Sequence, residues 1–543
     1  MKEFKKNTKP YNNPIIPIII SISVILGIVI GIFFASRFST NRLNIINSTS
    51  SKLTDLLYIV DDQYVDTVNM QEIVEDAIPS ILKELDPHSS YITAKDAETA
   101  NDDLNGSFSG IGVQFTIKDD TVYISNTIKG GPSEKVGVLP GDRIIEIDGK
   151  SYVGDSVSNE ETMHRLKGPK NTRVRLCVLR RGEKKEFVIT RDDIPVKSIE
   201  ASYMLTNDLG YIYIKNFGQD TYVQFLDALR DLRSKNAQGL VIDLRNNGGG
   251  YMQTAIQMVD EFLPANKLIV YTQGRCSPKQ EYKSTGNGYF QSIPLIVLTN
   301  EYTASASEIF SGAIQDNDRG VIVGRRTFGK GLVQQPISFN DGSIINLTIA
   351  RYYTPSGRCI QKPYSKGQSD TYELDIMFRY NHGEFFNEDS IKQTGEKYKT
   401  SIGRLVYGGG GIMPDYFVAE DTTDLTPYYK DLASKGIISE FCFEYTDKNR
   451  AILSKYNNYK SLLRYLQSQH LVEGCVKFAD SKGIARRNNM ILQSRKLFEK
   501  SIYASILYNI LDVSSYMQYI NSDDETIRKA IELYNSKKTF PTL

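Results

Sequence analysis

PLIVLTNEYTASASEIFSGAIQDNDRGVIVGRRTFGKGLVQ, residues Pro294 to Gln334, carries the strongest fold signal in the chain. Pro294 to Thr299 is a short apolar run rich in Ile, Val and Leu, bounded by Asn300, and reads as a buried strand. Thr303-Ala-Ser-Ala-Ser-Glu308 follows, and then Ile309, Phe310, Ala313 and Ile314 repeat at helical spacing. Three small hydroxyl residues, Thr303, Ser305 and Ser307, therefore sit on a strand-to-helix turn, where free backbone N–H groups suit a developing negative charge. A second strand, Val321 to Gly324, leads into Arg325-Arg-Thr-Phe-Gly-Lys330-Gly, which sets one lysine between two glycines. A serine hydroxyl is inert at neutral pH unless a base takes its proton, and a lysine serves as that base only when burial lowers its pKa. Phe328 and Leu332 are placed to supply an apolar wall. The same residues also read as a helix cap and a solvated hairpin lysine, and chemistry alone leaves both open.

Upstream, Leu209 to Phe217 alternates like a strand and Tyr222 to Leu232 has helical spacing. Gly239-Leu-Val-Ile-Asp-Leu-Arg-Asn-Asn-Gly-Gly-Gly250 is a buried strand ending in a glycine loop. Alternating strand and helix patterns predict a layered α/β core, with two of its apolar strands running into glycine- or hydroxyl-rich turns.

TASASEI followed by GRRTFGKGLVQ resembles the active-site signature of the carboxyl-terminal processing (tail-specific) serine peptidases. The resemblance implies Ser305 as nucleophile, Lys330 as its base and Gln334 as the residue that supports the lysine. The interval of 25 residues from Ser305 to Lys330 matches the family, which ranks Ser307 behind as an alternative nucleophile. L-R-x-N-x-G-G at Leu244 to Gly249 is likewise similar to the family's glycine loop. It implies an oxyanion hole from the N–H of Gly249, with Gly248 next in rank, and the N–H of Ala306; Arg245 and Asn247 read as structural holders of the loop. Leu85-Asp-Pro-His-Ser-Ser-Tyr-Ile92 resembles a hinge segment of the same peptidases, so His88 reads as structural rather than catalytic. Asn346 to Gly357 and Gly408-Gly-Gly-Gly-Ile-Met-Pro-Asp415 resemble strings that close the family's core.

Leu104 to Asp193 resembles a PDZ domain, on Gly110-Ile-Gly-Val-Gln-Phe-Thr-Ile117 and on Ser133 to Gly149 with its Pro-Gly-Asp corner. In such a domain the backbone N–H groups around Gly110, Ile111, Gly112 and Val113 hold a terminal carboxylate, and the next strand edge pairs with an extended peptide. The family's L-R-G-x-x-G-T reads Leu166-Lys-Gly-Pro-Lys-Asn-Thr172 here, with Lys167 in the arginine's place. That departure puts in question any arginine-borne signal from this domain to the active site.

Net charge is +1 in 543 residues, which gives no reason to expect nucleic acid as a partner. The four histidines are scattered without H-E-x-x-H, and the five cysteines have no CxxC spacing, so neither a metal nor a cofactor is expected. Lys2, Lys5, Lys6 and Lys9 precede an uncharged stretch from Ile15 to Ala35, long enough to cross a membrane. Ala35-Ser-Arg37 is a poor A-x-A cleavage site, so the stretch reads as an uncleaved anchor in preference to a signal peptide.

The expected architecture is multidomain α/β. A basic N-terminus spans residues 1–14, an anchor 15–35 and a helical region 41–103. A PDZ domain follows at 104–193, then a crotonase-like (ClpP/crotonase) peptidase core at 194–424 with an insertion at about 365–403, and a helical C-terminal domain at 425–543. The resemblance implies a membrane-anchored serine endopeptidase that cuts unfolded or precursor proteins presenting exposed C-termini. Its catalytic domains would face the periplasm or the cell exterior from the bacterial cytoplasmic membrane, and homo-oligomerisation is left open. Two rivals are a PDZ scaffold on a degenerate peptidase fold and a crotonase-like acyl-CoA enzyme. The first leaves the Ser/Lys pair unused, and the second leaves the PDZ segment unused as well.

Overall fold

The computed structural model describes Leu26 and residues 52–542, apart from 98–101, 103, 119, 156, 368 and 392–394. The expected anchor, 15–35, lies outside the described residues except for Leu26; among those described, no helix is long and apolar enough to cross a membrane. The chain divides into two compact units, Met1–Ile81 and Leu82–Leu543. The first is helical where described, at 52–63 and in the start of Met70–Lys83.

In the second unit a six-stranded sheet organises the chain around Pro294 to Gln334. Its order is Ile199–Met204, Leu209–Ile214, Gly239–Asp243, Leu295–Thr299, Val321–Gly324 and Tyr416–Phe417. Only the first pair is antiparallel; the other neighbours run parallel. Parallel strands covered on both faces are apolar without alternation, and GLVID, LIVLT and VIVG are buried at every position. One face carries the helices Thr221–Ser234, Met252–Asp260 and Ala306–Asp316, packed through Ile242, Val297, Phe225 and Phe310. The other face carries Tyr211, Val241, Ile296 and Val323 against Ile527 and Leu533. The last two helices of the tail, Val513–Asn521 and Glu525–Asn535, thus complete the layered core, a duty the sequence did not reveal.

A second sheet lies around the long strand Ile344–Tyr353. It pairs with Leu332–Ser338, with Ser90–Ile92 and with Leu268–Gln273. The register slips between Val333 and Gln334, and a bulge of this kind turns a side chain out of its regular alternation.

The segment 107–195 has its own apolar core of Ile111, Val122, Ile144, Leu176 and Ile189. Its five-strand path places Val113–Lys118 at one edge, and the helix Asn159–Leu166 belongs to the same unit. Helices from Pro427 to Ile510 enclose a separate cluster around Leu432, Cys442, Leu462, Cys475 and Phe498. Lys118 joins the two: its ammonium lies 3.2 Å from Glu440 and also bridges Glu444, and the ring of Tyr123 meets that of Phe443 edge-on at 5.6 Å. Beyond residues 365–403 the chain rejoins the central sheet at Tyr416–Phe417.

Candidate active site

Three loops leave the carboxyl ends of adjacent parallel strands: 244–250 after Gly239–Asp243, 300–305 after Leu295–Thr299, and 325–331 after Val321–Gly324. That end of a parallel sheet is where ligands bind in open α/β folds. Ser305 caps the helix Ala306–Asp316 with φ 57° and ψ −117°, a backbone conformation that a residue with a Cβ rarely adopts. Its neighbours are committed elsewhere. The Thr303 hydroxyl donates to the carbonyl of Leu244 at 2.8 Å, and the buried Ser307 hydroxyl donates to that of Asn247 at 3.0 Å. The half-buried Ser305 hydroxyl has no acceptor for its proton among the described residues. Of the three small hydroxyls, only Ser305 is free to react.

Lys330 is joined to this serine through main-chain groups. The carboxylate of Glu308, fully buried, accepts from the Ser305 N–H (2.9 Å) and the Lys330 N–H (2.8 Å). It also takes the Gly329 N–H (2.8 Å) and the Thr327 hydroxyl (2.5 Å). Burial pushes the Glu308 carboxyl up to about 7 against the pull of these four donors. The Tyr352 hydroxyl lies between the carbonyls of Ser305, at 3.0 Å, and Lys330. Two side chains therefore hold the serine and lysine backbones in register.

The Lys330 amine is largely buried, and burial lowers its pKa from the usual lysine value, opposed by Asp86 and Glu308. It donates to Gln334 Oε1 at 3.1 Å, and among the described residues it makes no hydrogen bond to the Ser305 hydroxyl. The bulge at Gln334 aims that carboxamide at the lysine, and Gln334 Nε2 donates to the main-chain carbonyl of His88. The segment read as a structural hinge thus meets Gln334 through the His88 carbonyl. The His88 imidazole is pushed down to about 4, first by burial and then by the Lys330 charge, so it is neutral at physiological pH. Asp86 fixes this loop, accepting from the N–H groups of His88 (2.8 Å) and Ser89 (2.9 Å) and from the Thr348 hydroxyl (3.0 Å).

The glycine loop holds its N–H groups unequally. The Gly249 N–H donates to Asn247 Oδ1 at 2.9 Å, so the expected oxyanion donor is already engaged. Asn247 anchors the turn, its Nδ2 donating to the carbonyl of Ile214 at 2.8 Å. The N–H groups of Gly248 and Ala306 have no partner among the described residues, which leaves Gly248 as the available donor beside Ala306. Gly249 matters for its missing side chain. With φ 106°, a Cβ there would come within 2.7 Å of Ser305 Cβ and 2.9 Å of the Ala306 nitrogen. Arg245 is structural: it pairs with buried Asp243 at 2.7 Å and with Asp524 of the tail at 2.8 Å.

In the segment 110–113, Gly110 ends the strand Ser107–Gly110 and Val113 begins the edge strand. The carbonyls of Ile111 and Gly112 accept from Ser133 (3.0 Å) and Ile128 (2.9 Å), while the N–H groups of Ile111 and Gly112 have no partner among the described residues. Lys167 pairs with Asp102 at 2.6 Å and lies 4.6 Å from the Phe108 ring centre.

Glu308 and Tyr352 were given no role by the sequence reading, and the Asp86–His88 segment was singled out only as a structural hinge. The S-x-x-E spacing of Ser305 and Glu308 is a capping-box pattern and could have singled out Glu308. Nothing in local spacing ties Tyr352 or His88 to Lys330.

A strained serine and a largely buried lysine tied through one carboxylate fit a serine peptidase, and comparison with known proteins shows the family. The model of peptidase family S41 matches residues 208–371, that of the PDZ domain 109–190, and one for a family of unknown function 428–512. The carboxy-terminal-processing protease of Bartonella bacilliformis is 35% identical over 351 residues, covering 63% of this chain and 80% of that protein. Carboxy-terminal processing protease CtpB of Bacillus subtilis is 35% identical over 316 residues, 57% of this chain and 65% of that protein. Among solved structures, the photosystem II D1 C-terminal processing protease is 28% identical with a TM-score of 0.33, covering 57% of this chain and 89% of that one. The PDZ domain of the carboxy-terminal protease from Vibrio cholerae, in complex with peptide, is 31% identical over 16% of this chain and 97% of that one, with a TM-score of 0.15. The chain belongs to peptidase family S41, among the carboxy-terminal processing serine peptidases.

Proposed function

We propose that this chain cleaves C-terminal regions of unfolded or precursor proteins through a Ser305/Lys330 dyad, on a crotonase-like core, with its PDZ domain gripping the substrate's tail. The observation that carries this reading is the double bridge of Glu308 and Tyr352 between the backbones of a strained serine and a largely buried lysine. Neutral Lys330 leaves Gln334, takes the Ser305 proton, and the alkoxide attacks the peptide carbonyl. The N–H groups of Gly248 and Ala306 stabilise the oxyanion, and the lysine returns the proton to the leaving amine. Gln334, tethered to His88, receives the amine again.

On the binding side, the free N–H groups of Ile111 and Gly112 suit a terminal carboxylate, and the Val113–Lys118 edge accepts an added strand. A peptide-bound relative of this domain supports that use. The charge pattern of residues 1–35 supports an anchor in the cytoplasmic membrane, with the remainder outside the cytoplasm.

The test uses protein lacking residues 1–35 and an unfolded substrate such as casein. Ser305→Ala and Lys330→Ala each abolish turnover, and so does Lys330→Arg, because arginine stays charged. Unchanged cleavage by Ser305→Ala or Lys330→Ala refutes the dyad. Membrane fractionation of the full chain against the truncated one tests the anchor, and equal release of both into the soluble fraction refutes it.

A further inference from the structure

The segment read from the sequence as an insertion, about 365–403, does more than fill surface. Its helix Ser369–Glu373 delivers Tyr372, buried, to the lysine turn from 42 positions downstream of Lys330. The Tyr372 ring meets His88 edge-on at 5.1 Å and Phe328 edge-on at 5.8 Å. The Lys362 ammonium lies against the Phe328 and Tyr372 rings, 3.8 and 4.0 Å from their centres, with Asp375 of the insertion 3.0 Å away.

The Tyr372 hydroxyl connects two arms that both end at Lys330. Along one arm it lies 2.8 Å from His88 Nε2; the His88 carbonyl receives Gln334 Nε2, and Gln334 Oε1 receives the Lys330 amine at 3.1 Å. Along the other arm, Gln361 Nε2 donates to the Tyr372 oxygen at 3.1 Å, and Gln361 Oε1 accepts the Gly331 N–H at 2.8 Å. Lys330 and Gly331 are adjacent in the chain, so the two arms form a closed ring.

Proton accounting fixes the direction of each link. Gln361 Oε1 must face the Gly331 N–H, so its NH2 faces the phenol. The phenol proton is then free for His88 Nε2, which accepts it as a neutral imidazole. In the same way, the His88 carbonyl compels the NH2 of Gln334 to face it, and only that orientation turns the carboxamide oxygen to the lysine.

Resting on the dyad reading above, we propose that Tyr372 is a positioning residue for Lys330, so that the insertion is a working part of the catalytic scaffold. Charged groups facing the lysine are Asp86 on the His88 loop and Glu308 on the serine helix. Those facing His88 are Lys330, Asp86 and Lys362. Without the Tyr372 hydroxyl, His88 and Gln334 lose one fixed end, water reaches the amine, and more of the lysine is protonated at neutral pH.

The test is Tyr372→Phe in protein lacking residues 1–35, which keeps the ring against Phe328 and Lys362 and removes only the hydroxyl. The expected result is a kcat about five- to tenfold lower, the size of one neutral hydrogen bond, with KM for casein unchanged. The acidic limb of the kcat/KM–pH profile moves to higher pH. Tyr380→Phe, in the same insertion and packed on Phe385 and Phe386, leaves both unchanged. Where Tyr372→Phe lowers the Tm enough to prevent assay, His88→Phe removes the acceptor of the same bond, keeps the main-chain carbonyl, and carries the same expectation. A wild-type rate and profile for Tyr372→Phe overturns the proposal, as does a lower rate with an unmoved acidic limb, because that is what loosened packing alone produces. Ser305→Ala is run alongside. Activity in that variant sinks the dyad and the inference together, whereas a dead Ser305→Ala with a wild-type Tyr372→Phe sinks the inference alone.

Discussion

Gly249→Ala tests the closest approach in the site. The added Cβ would sit 2.7 Å from Ser305 Cβ, 2.8 Å from the Ala304 oxygen and 2.9 Å from the Ala306 nitrogen, all short of the 3.4 Å at which ordinary contact begins. Two of these atoms are main chain and cannot swing aside, so the serine loop must withdraw by about 0.5–0.7 Å or the glycine loop must open by as much. The φ of 106° adds strain for any residue with a Cβ, about 1–3 kcal/mol, and overpacking typically adds a further 1–3 kcal/mol. A total of about 2–6 kcal/mol is expected, seen as a drop in Tm. The shift also displaces the nucleophile against the lysine and the oxyanion donors. Misplacement on the scale of 1 Å costs about a hundredfold in rate, so kcat against casein falls by about 30- to 100-fold in the fraction that folds. Gly248→Ala is the control: its Cβ meets nothing within 4 Å, and the N–H is retained. It keeps the wild-type Tm and loses at most a few-fold in kcat. A Gly249→Ala enzyme as active as wild type refutes the reasoning, as does a Gly248→Ala enzyme equally damaged.

Further expectations follow from the same geometry. Ser307→Ala removes only a hydrogen bond to Asn247, so it costs about 1 kcal/mol in a denaturant melt and cleaves casein nearly as wild type, whereas Ser305→Ala does not cleave; equal inactivity of the two contradicts the nucleophile assignment. Glu308→Ala leaves the N–H groups of Ser305, Gly329 and Lys330 unpartnered in a buried space, at about 1–3 kcal/mol each. It should lower the Tm sharply and abolish cleavage, and a folded, active Glu308→Ala enzyme would show that the bridge is dispensable. Because the base must be uncharged, kcat/KM rises with pH through a midpoint below the usual lysine value. The linked stability has a definite sign: the folded state holds Lys330 neutral while the unfolded chain protonates it, so this group makes stability rise with pH between its depressed folded pKa and its unfolded value. A rate profile flat across pH 6 to 10 would remove Lys330 as the base.

The layered core was legible because its strands are short, apolar and bounded by turn residues, and the three loops of the site lie directly after them. Ser305, Lys330 and Gln334 could be named because they lie in one stretch of 41 residues whose strings resemble the family's signature; the chemistry of that stretch alone left a helix cap and a solvated lysine open. What could not be read is what comes from elsewhere. His88 reaches Gln334 across 246 positions, Tyr372 reaches His88 across 284, and Asp524 meets Arg245 across 279. Nothing in local spacing encodes such meetings. The two glycines of the loop were hard to rank for a different reason: Gly248 and Gly249 look alike as letters, and only the Asn247 side chain, which occupies one N–H and leaves the other, separates them.

These long-range contacts also account for how the chain sustains its costliest feature. A serine at φ 57° stays there only if its surroundings give it no cheaper conformation. Glu308 holds its N–H and Tyr352 holds its carbonyl, and both also hold the Lys330 backbone, while the missing side chain of Gly249 leaves room for the serine's Cβ. The device that strains the nucleophile is thus the same one that fixes the base. It follows that altering any of these three residues should disturb the lysine as well, and the effects of Gly249→Ala and Glu308→Ala on ln kcat should fall well short of additive in the double variant. Strict additivity would mean that the serine and the lysine are held by independent parts of the fold.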